Sequence, residues 1–373
     1  FVSLKSTLGY SQTRLSEGEL LGNSPRNPFQ MTYRAKTYEK PYKPDGSLNF
    51  GASTSLALKQ VANLLEGIQN SSRNVNQIKV NASAVIQYKF TDDLYFKNVT
   101  GLDASSNYTQ RYVNPNSYIG SLQSFQSGLT QESYGIYSQF VNTSSLNFQK
   151  RFDKHELEAG VYFETVRAYD RGMGFTIYNL DPRLTETGQA AGTLPTNGAA
   201  TYPQYASSAK SGYGIRSYFA TLRYSYDNRY SINGNIRRDG TSRIVNEDNR
   251  EITTWSAGLI WNVLNEKFMR NQKIFSEFKA RVSYGIVPNI GSIPTGSYGY
   301  GVPNYQGPQI PTFGTTAYAG SSITGLVPTA PGNPNLRIEK IQKLNWGFDL
   351  GFWKNRATVD RKSTRLNSSH SSV

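Results

Sequence analysis

Glu156, Glu158 and Glu164 recur at even spacing, so in an extended chain their carboxylates project from one face. Glycoside hydrolysis uses paired carboxylates, but they must flank a cleft from well-separated positions. Carboxylates on one side of one strand make a solvated wall instead. The segment RRDGTSR places Arg237, Asp239 and Arg243 on one face by parity and Arg238 on the other. This suits either a charge cluster on an inner wall or a salt bridge at a strand end. Nucleophilic and metal chemistry have little to work with. The chain has no cysteine and only two histidines, His155 and His370, which removes thiol nucleophiles, thiolate metal sites and disulfides. No catalytic residue, metal site or cofactor is expected, and the chain is not read as an enzyme. His155, in a tight turn, reads as a solvated polar residue.

Stacking is the other available chemistry. Tyr298, Tyr300 and Tyr305 lie in GSYGYGVPNYQG, Phe175 and Tyr178 in GMGFTIYNL, and Tyr202 and Tyr205 further along. Their rings are candidates to hold a sugar ring or a peptide side chain; the competing reading is that they pack loops against each other. The GSYGYG run has no strand-to-helix context, so its glycines serve bends and not a phosphate cradle.

The elements that carry these residues follow period two. From Gln77 to Phe90, Ile78, Val80, Ala82, Ala84, Ile86, Tyr88 and Phe90 share one face, opposed by polar residues except at Val85. Leu344, Trp346, Phe348, Leu350 and Phe352 repeat the pattern, as do Trp255 to Val263, Phe278 to Ile286, Tyr218 to Tyr226 and Leu157 to Phe163. Strands are expected at 1–11, 76–90, 94–112, 134–152, 156–170, 212–226, 229–240, 251–264, 276–287 and 337–353, with another starting at 356. Each apolar face lasts about ten residues, the length of a tilted membrane strand and more than a typical soluble one.

Connections alternate in length. Short turns at 91–93, 153–155, 227–228 and 354–355, with a medium one at 265–275, are separated by long polar segments at 12–75, 114–133, 171–211, 241–250 and 288–336. Outer-membrane barrels have this alternation, with short periplasmic turns and long external loops. Large aromatics gather beside the short turns: Phe90, Phe96, Phe148, Phe152, Tyr226, Tyr230, Trp261, Phe275, Phe352 and Trp353. An aromatic girdle at a membrane interface explains them; ordinary β-propensity is the alternative. Leu58, Val61, Leu65 and Ile68 keep helical spacing, which predicts a short helix over the rim.

Composition agrees. Hydrophobic residues make up 37% of 373, yet aromatics reach 13%, too many for a disordered chain. No run approaches the about 18 apolar residues of a membrane helix, a test that leaves barrels untouched. The net charge is +14, but the basic residues are scattered and form no stripe, so nucleic acid is not an expected partner. The fold class is therefore all-β: a transmembrane antiparallel β-barrel, incomplete, with about eleven strands of a larger barrel. A soluble antiparallel β protein remains the rival.

RRDGTSRI at Arg237 to Ile244, TTWSAGLIWNVLNEKFM at Thr253 to Met269, FKARVSYGIVPN at Phe278 to Asn289 and NPNLRIEKIQKLNWGFDLGFWKNR at Asn333 to Arg356 follow one another in an order and spacing that resembles the barrel of SusC/RagA-type TonB-linked outer-membrane transporters. YEKPYKPDGSLNF and YKFTDDLYFKNVTGLD resemble the same family, so the likeness covers nearly all of 1–359. It implies a barrel of about 22 strands with a plugged lumen, in the cell outer membrane, energised by the TonB complex through a missing N-terminal part. It also implies a SusD-like surface lipoprotein as partner, with oligosaccharide or peptide as cargo. Arg237, Asp239 and Arg243 then become candidates to face the lumen or the plug. The alternatives are a passive porin or adhesin barrel, or a soluble extracellular β-rich glycan-binding protein. Residues 1–359 are expected to be a partial barrel without plug or closing strands. DRKSTRLNSSH, from Asp360, is similar to a translated sequencing adapter, so 360–373 is expected to be a non-native tail without order.

Overall fold

The alternating pattern produces a single wall of long strands. The computed structural model describes residues 1–15, 36–38, 40–49, 60–121, 127–183, 205–289, 293, 295–297, 302–317, 324–353 and 357–369. β1 (Val2–Leu15) is followed by a helix, α1 (Gln60–Asn70), and then by β2 (Ser71–Lys89) and β3 (Leu94–Val113). A one-turn helix, α2 (Tyr118–Ser121), precedes β4 (Leu129–Phe152), β5 (His155–Tyr178), β6 (Tyr205–Tyr226), β7 (Tyr230–Thr241), β8 (Glu251–Asn262) and β9 (Phe275–Asn289). An excursion holds two small hairpins, β10 (Gly296–Ser297) with β11 (Pro303–Asn304), and β12 (Thr312–Ala317) with β13 (Thr324–Ala330). The wall resumes with β14 (Glu339–Phe352) and β15 (Ala357–Ser369). β1 to β9, β14 and β15 form one eleven-stranded antiparallel sheet in chain order.

Two-sided chemistry explains the sheet. Register places Phe163 beside Tyr218, Ile236 beside Trp255, and Trp346 beside Val282 on one face. These side chains stay largely exposed to the exterior, Trp346 at 48% and Ile236 at 54%, an arrangement stable only against an apolar phase. The opposite face carries Lys79, Asn81, Ser83, Asp103, Glu158, Asn233 and Arg281. At the short-turn rim the Phe275 ring sits 5.1 Å from Phe352 and 5.4 Å from Phe278. The turn after β6 has both Asp227 (φ 49°) and Asn228 (φ 53°) left-handed, the geometry that matches strand twist in tight hairpins.

Strand positions agree with the expectation, but several strands run further toward the long-loop rim. β4 and β5 each span 24 residues, where the pattern marks 134–152 and 156–170. In these extensions the apolar alternation ends before the hydrogen-bonded ladder does. The helix also appears, although Leu58 lies outside the described residues. The expected lack of order past Asp360 is not seen: β15 pairs with β14 from Ala357 through Ser369, because an open edge offers unpaired backbone groups to any following extended segment. Among the described residues β1 and β15 do not pair with each other, so the wall is open, and no helix is long and apolar enough to cross a membrane.

Candidate functional site

Four adjacent strands, β4 to β7, assemble a charged and aromatic cluster on the polar face. Register sets Glu164 opposite Ser217, Ser217 opposite Asp239, and Phe219 opposite Arg237. Arg237 donates from Nε to Asp239 Oδ1 at 2.7 Å, and from Nη2 to Glu164 Oε1 and Ser217 Oγ, each at 2.8 Å. Ser217 Oγ donates to Asp239 Oδ1 at 2.6 Å, and Thr143 Oγ1 to Glu164 Oε2 at 3.0 Å. Asp239 is 2% exposed and Ser217 0%, so the guanidinium is what makes the buried carboxylate tolerable. The same guanidinium lies 4.7 Å from the Phe219 ring centre, and Phe219 stacks on Tyr162 at 4.5 Å. Toward the short turns this cluster opens into a hollow of about 390 Å³, lined on the polar face by Asn147, Gln149, Glu158, Tyr162, Arg223 and Asn233.

The excursion between β9 and β14 folds back over the long-loop end of this face. Ile293 joins Ile244, Ile252, Ile338 and Leu336 in an apolar knot. Gln309, 3% exposed, accepts from Val245 N at 2.9 Å and donates to Arg243 O at 2.7 Å. Tyr305 Oη donates to Asp170 Oδ2 at 2.6 Å, and its ring meets Tyr213 edge-on at 4.7 Å. Arg243 lies over both rings, 5.9 Å from Tyr213 and 5.7 Å from Tyr305, and donates to Ile293 O at 3.0 Å. Burial first, and then the bond to the Asp170 carboxylate, push the Tyr305 phenol above its ordinary pKa.

The candidate residues thus divide. Arg237 and Asp239 come together on the polar face, whereas Arg243 belongs to a separate cluster with Tyr305. Arg238 faces the other way and pairs with Glu251. Phe175 and Tyr178 lie in β5 and not in a loop, and Tyr178 packs on Val113 and Leu129; the strand continues because β4 still pairs with it there. Tyr202, Tyr298 and Tyr300 lie outside the described residues, and Tyr205 is placed only as a strand residue opposite Thr176. His155 is not simply solvated: its ring stacks on Phe152 at 4.9 Å and its Nδ1 hydrogen-bonds Tyr224 Oη at 2.7 Å. Gln309, Ile293 and Tyr213 carry no sequence signal of their role, since their partners are 50 or more residues away for Ile293–Arg243 and 66 for Gln309–Arg243.

Comparison with known proteins places this architecture. The chain is 27% identical over 300 residues to the TonB-dependent receptor SusC of Bacteroides thetaiotaomicron, covering 78% of this chain and 27% of that protein. It is 31% identical over 150 residues to the TonB-dependent receptor P26 of Formosa agariphila, covering 40% of this chain and 14% of that one. Among solved structures, the RagAB peptide importer in its open-open state superposes with a TM-score of 0.73 over 98% of this chain and 38% of that one at 19% identity, a likeness of fold. The chain therefore spans about a quarter of the length of the curated relatives, 27% and 26% for two of them. With residues 9–360 matched by the model described as TonB dependent receptor-like, beta-barrel, the chain belongs to the TonB-dependent receptor β-barrels of the outer membrane.

Proposed function

We propose that the receptor carrying this chain imports a bulky polar solute, an oligosaccharide or a peptide, across the outer membrane, with TonB supplying the energy and a SusD-like lipoprotein closing the outer mouth. The family makes the chain part of a receptor, not an enzyme. The observation that carries the reading is the Tyr162, Phe219 and Arg237 stack beside Glu164, on the polar face below the end where Tyr305 and Gln309 lie against the wall. Stacked aromatics with flanking charges grip sugar rings or peptide side chains and release them, as transport requires. The RagAB complex, whose barrel this wall resembles in fold, is a peptide importer, which favours the peptide member of this cargo class. On the same reading residues 1–359 are native barrel wall and 360–373 an appended segment; the family match ends at 360.

The test is uptake of labelled oligosaccharides and peptides by cells whose only copy of the full-length receptor is wild type or carries Phe219→Ala. Uptake that requires the proton-motive force and falls with Phe219→Ala supports the reading. Uptake that persists after the force is collapsed, or steady conductance of the purified receptor in a planar bilayer, would replace it with a passive porin.

A further inference from the structure

We infer that the lipid-facing side of β5 to β7 holds a binding site for a phosphorylated headgroup of the outer leaflet. On each of these strands cations enter the apolar face toward the long-loop rim. On β5 the outward residues run Leu157, Ala159, Val161 and Phe163, and then Thr165, Arg167, Tyr169, Arg171 and Met173, so cations enter the face and alternate with Tyr169 and Met173. On β6 they run Tyr224, Leu222, Ala220 and Tyr218 before Arg216 and Lys210, and on β7 Ile232 and Ile236 before Arg238. Register brings the transitions to one level, with Thr165 opposite Arg216 and Tyr218 opposite Arg238, and sets Arg171 opposite Lys210 further toward the long-loop rim. Phe163 and Tyr218, with ring centres 5.0 Å apart, mark the top of the apolar band, and Arg216 reaches over the Tyr218 ring at 5.9 Å. Aromatics followed by long cations are what an interface between hydrocarbon and headgroups selects.

The cations also frame a concavity. Arg167 faces Gly214 and Arg216 faces Gly240 across the ladder, so each long side chain stands beside a position without one. The resulting trough, about 530 Å³, is lined by Arg167, Arg216 and Arg250 and by Glu247 and Glu251, with Arg250 paired to Glu247, while Arg171 and Lys210 stand beyond it toward the rim. Glu251 serves Arg238 and Arg216, at 3.5 Å from the latter. Among the described residues Arg167, Arg171 and Lys210 form no ion pair, and all three are exposed. Such an excess of positive charge at the outward rim is complementary to phosphate esters fixed in a membrane surface. The inference rests on the outer-membrane placement of the barrel and is independent of the cargo.

Native mass spectrometry of the detergent-purified full-length receptor tests it, with lipopolysaccharide of intact lipid A phosphates, the same glycolipid after phosphatase treatment, and inorganic phosphate as probes. The wild type should retain the phosphorylated glycolipid, and the Arg167→Gln, Arg171→Gln, Lys210→Gln variant should bind it on the order of a hundredfold more weakly. Arg223→Gln, a loss of charge on the polar face, should bind it as the wild type does. Equal binding by wild type and triple variant would overturn the inference. So would wild-type binding that ignores phosphatase treatment, an arm independent of any variant, or competition by millimolar inorganic phosphate, which would indicate a free-anion site. Loss of cargo uptake with glycolipid binding intact would refute the import reading alone.

Discussion

The Tyr305 hydroxyl donates to the Asp170 carboxylate at 2.6 Å, joining residues 135 apart in the chain. Through this bond the excursion between β9 and β14 is held against β5 on the polar face, with Tyr213 and Arg243 stacked around it. Tyr305→Phe keeps the ring contacts and removes only the donor. It should therefore raise amide exchange across 302–309 by about ten- to a hundredfold while the strands stay protected, since a hydrogen bond to a charged group contributes about 1.5–3 kcal/mol. Because the phenol's pKa is raised in the folded protein, its contribution is whole below the ordinary tyrosine value of about 10 and fades only as pH rises through the folded value. Protection of this segment should be level between pH 6 and about 9. A loss of protection near neutrality would show that another group holds it.

Arg237 is shared by Glu164, Asp239 and Ser217. Arg237→Ala leaves Asp239 buried without its cation, and the full-length receptor should lose about 1–3 kcal/mol, read as a lower temperature of heat-modified migration on gels. Asp239→Asn in the same background should recover part of the loss, because the uncompensated charge is then gone. No recovery would mean that the packing of the arginine on Phe219, and not charge, carries the effect.

On the lipid-facing side, Asn98 and Asn142 exchange hydrogen bonds at 3.3 Å in each direction, and Thr100 and Ser144 complete the group. Amides in hydrocarbon need partners. Replacing one asparagine by leucine strands the other, whereas replacing both removes the requirement. Asn98→Leu and Asn142→Leu should each destabilise the receptor, and the double variant should be no worse than either single one. The coupling should be about 0.6 kcal/mol or more. Simple additivity in a double-mutant cycle would show that lipid or water already satisfies these amides.

At the short-turn rim, Glu266 accepts from Tyr230 Oη and from Trp261 Nε1, the latter at 3.1 Å, with Arg229 at 3.7 Å. The Tyr230 bond first and the Trp261 bond second hold its carboxyl below the ordinary value. A depressed folded pKa gives stability that is present above the unfolded value of about 4.3 and is lost as pH falls through the folded one. Glu266→Gln should therefore flatten the acid limb of thermal stability below about pH 4.3, with little change in its shape at pH 7 to 8. An unchanged acid limb would assign that titration to other carboxylates.

The sequence shows the wall well and its mouth poorly, and the reason is physical. Within the bilayer one face of each strand must be apolar, so Leu344, Trp346 and Phe348 announce both strand and orientation. Above the bilayer neither face has that obligation, and the upper parts of β4 to β6 were invisible as strands although their ladders continue. Parity put Arg237 with Asp239 on one face of its strand and Glu164 with Glu156 and Glu158 on one face of another, but which strands were neighbours, and hence that Glu164 meets Arg237, required register. Tyr305 was legible as a loop aromatic. Its bond to Asp170 was not, since no periodicity links a loop to a wall residue.

The orientation of the wall is open to direct measurement on β14. Trp346 and Phe348 lie outward, 48% and 42% exposed, with rings 6.1 Å apart. Between and beyond them, Asn345 donates to Ser283 Oγ at 3.4 Å and Asp349 pairs with Arg281 at 2.8 Å on the other face. Nitroxide labels placed singly at the four positions of the full-length receptor in bilayers should alternate. Those at 346 and 348 should be relaxed by oxygen, which concentrates in hydrocarbon, and those at 345 and 349 by a water-soluble nickel chelate. A label at 349 removes the carboxylate facing Arg281, so the alternation must also hold at 345, where no ion pair is lost. Four labels with the same accessibility, or the reverse alternation, would mean that the apolar face is not the one that meets lipid, and the placement of every polar-face group would have to be inverted with it.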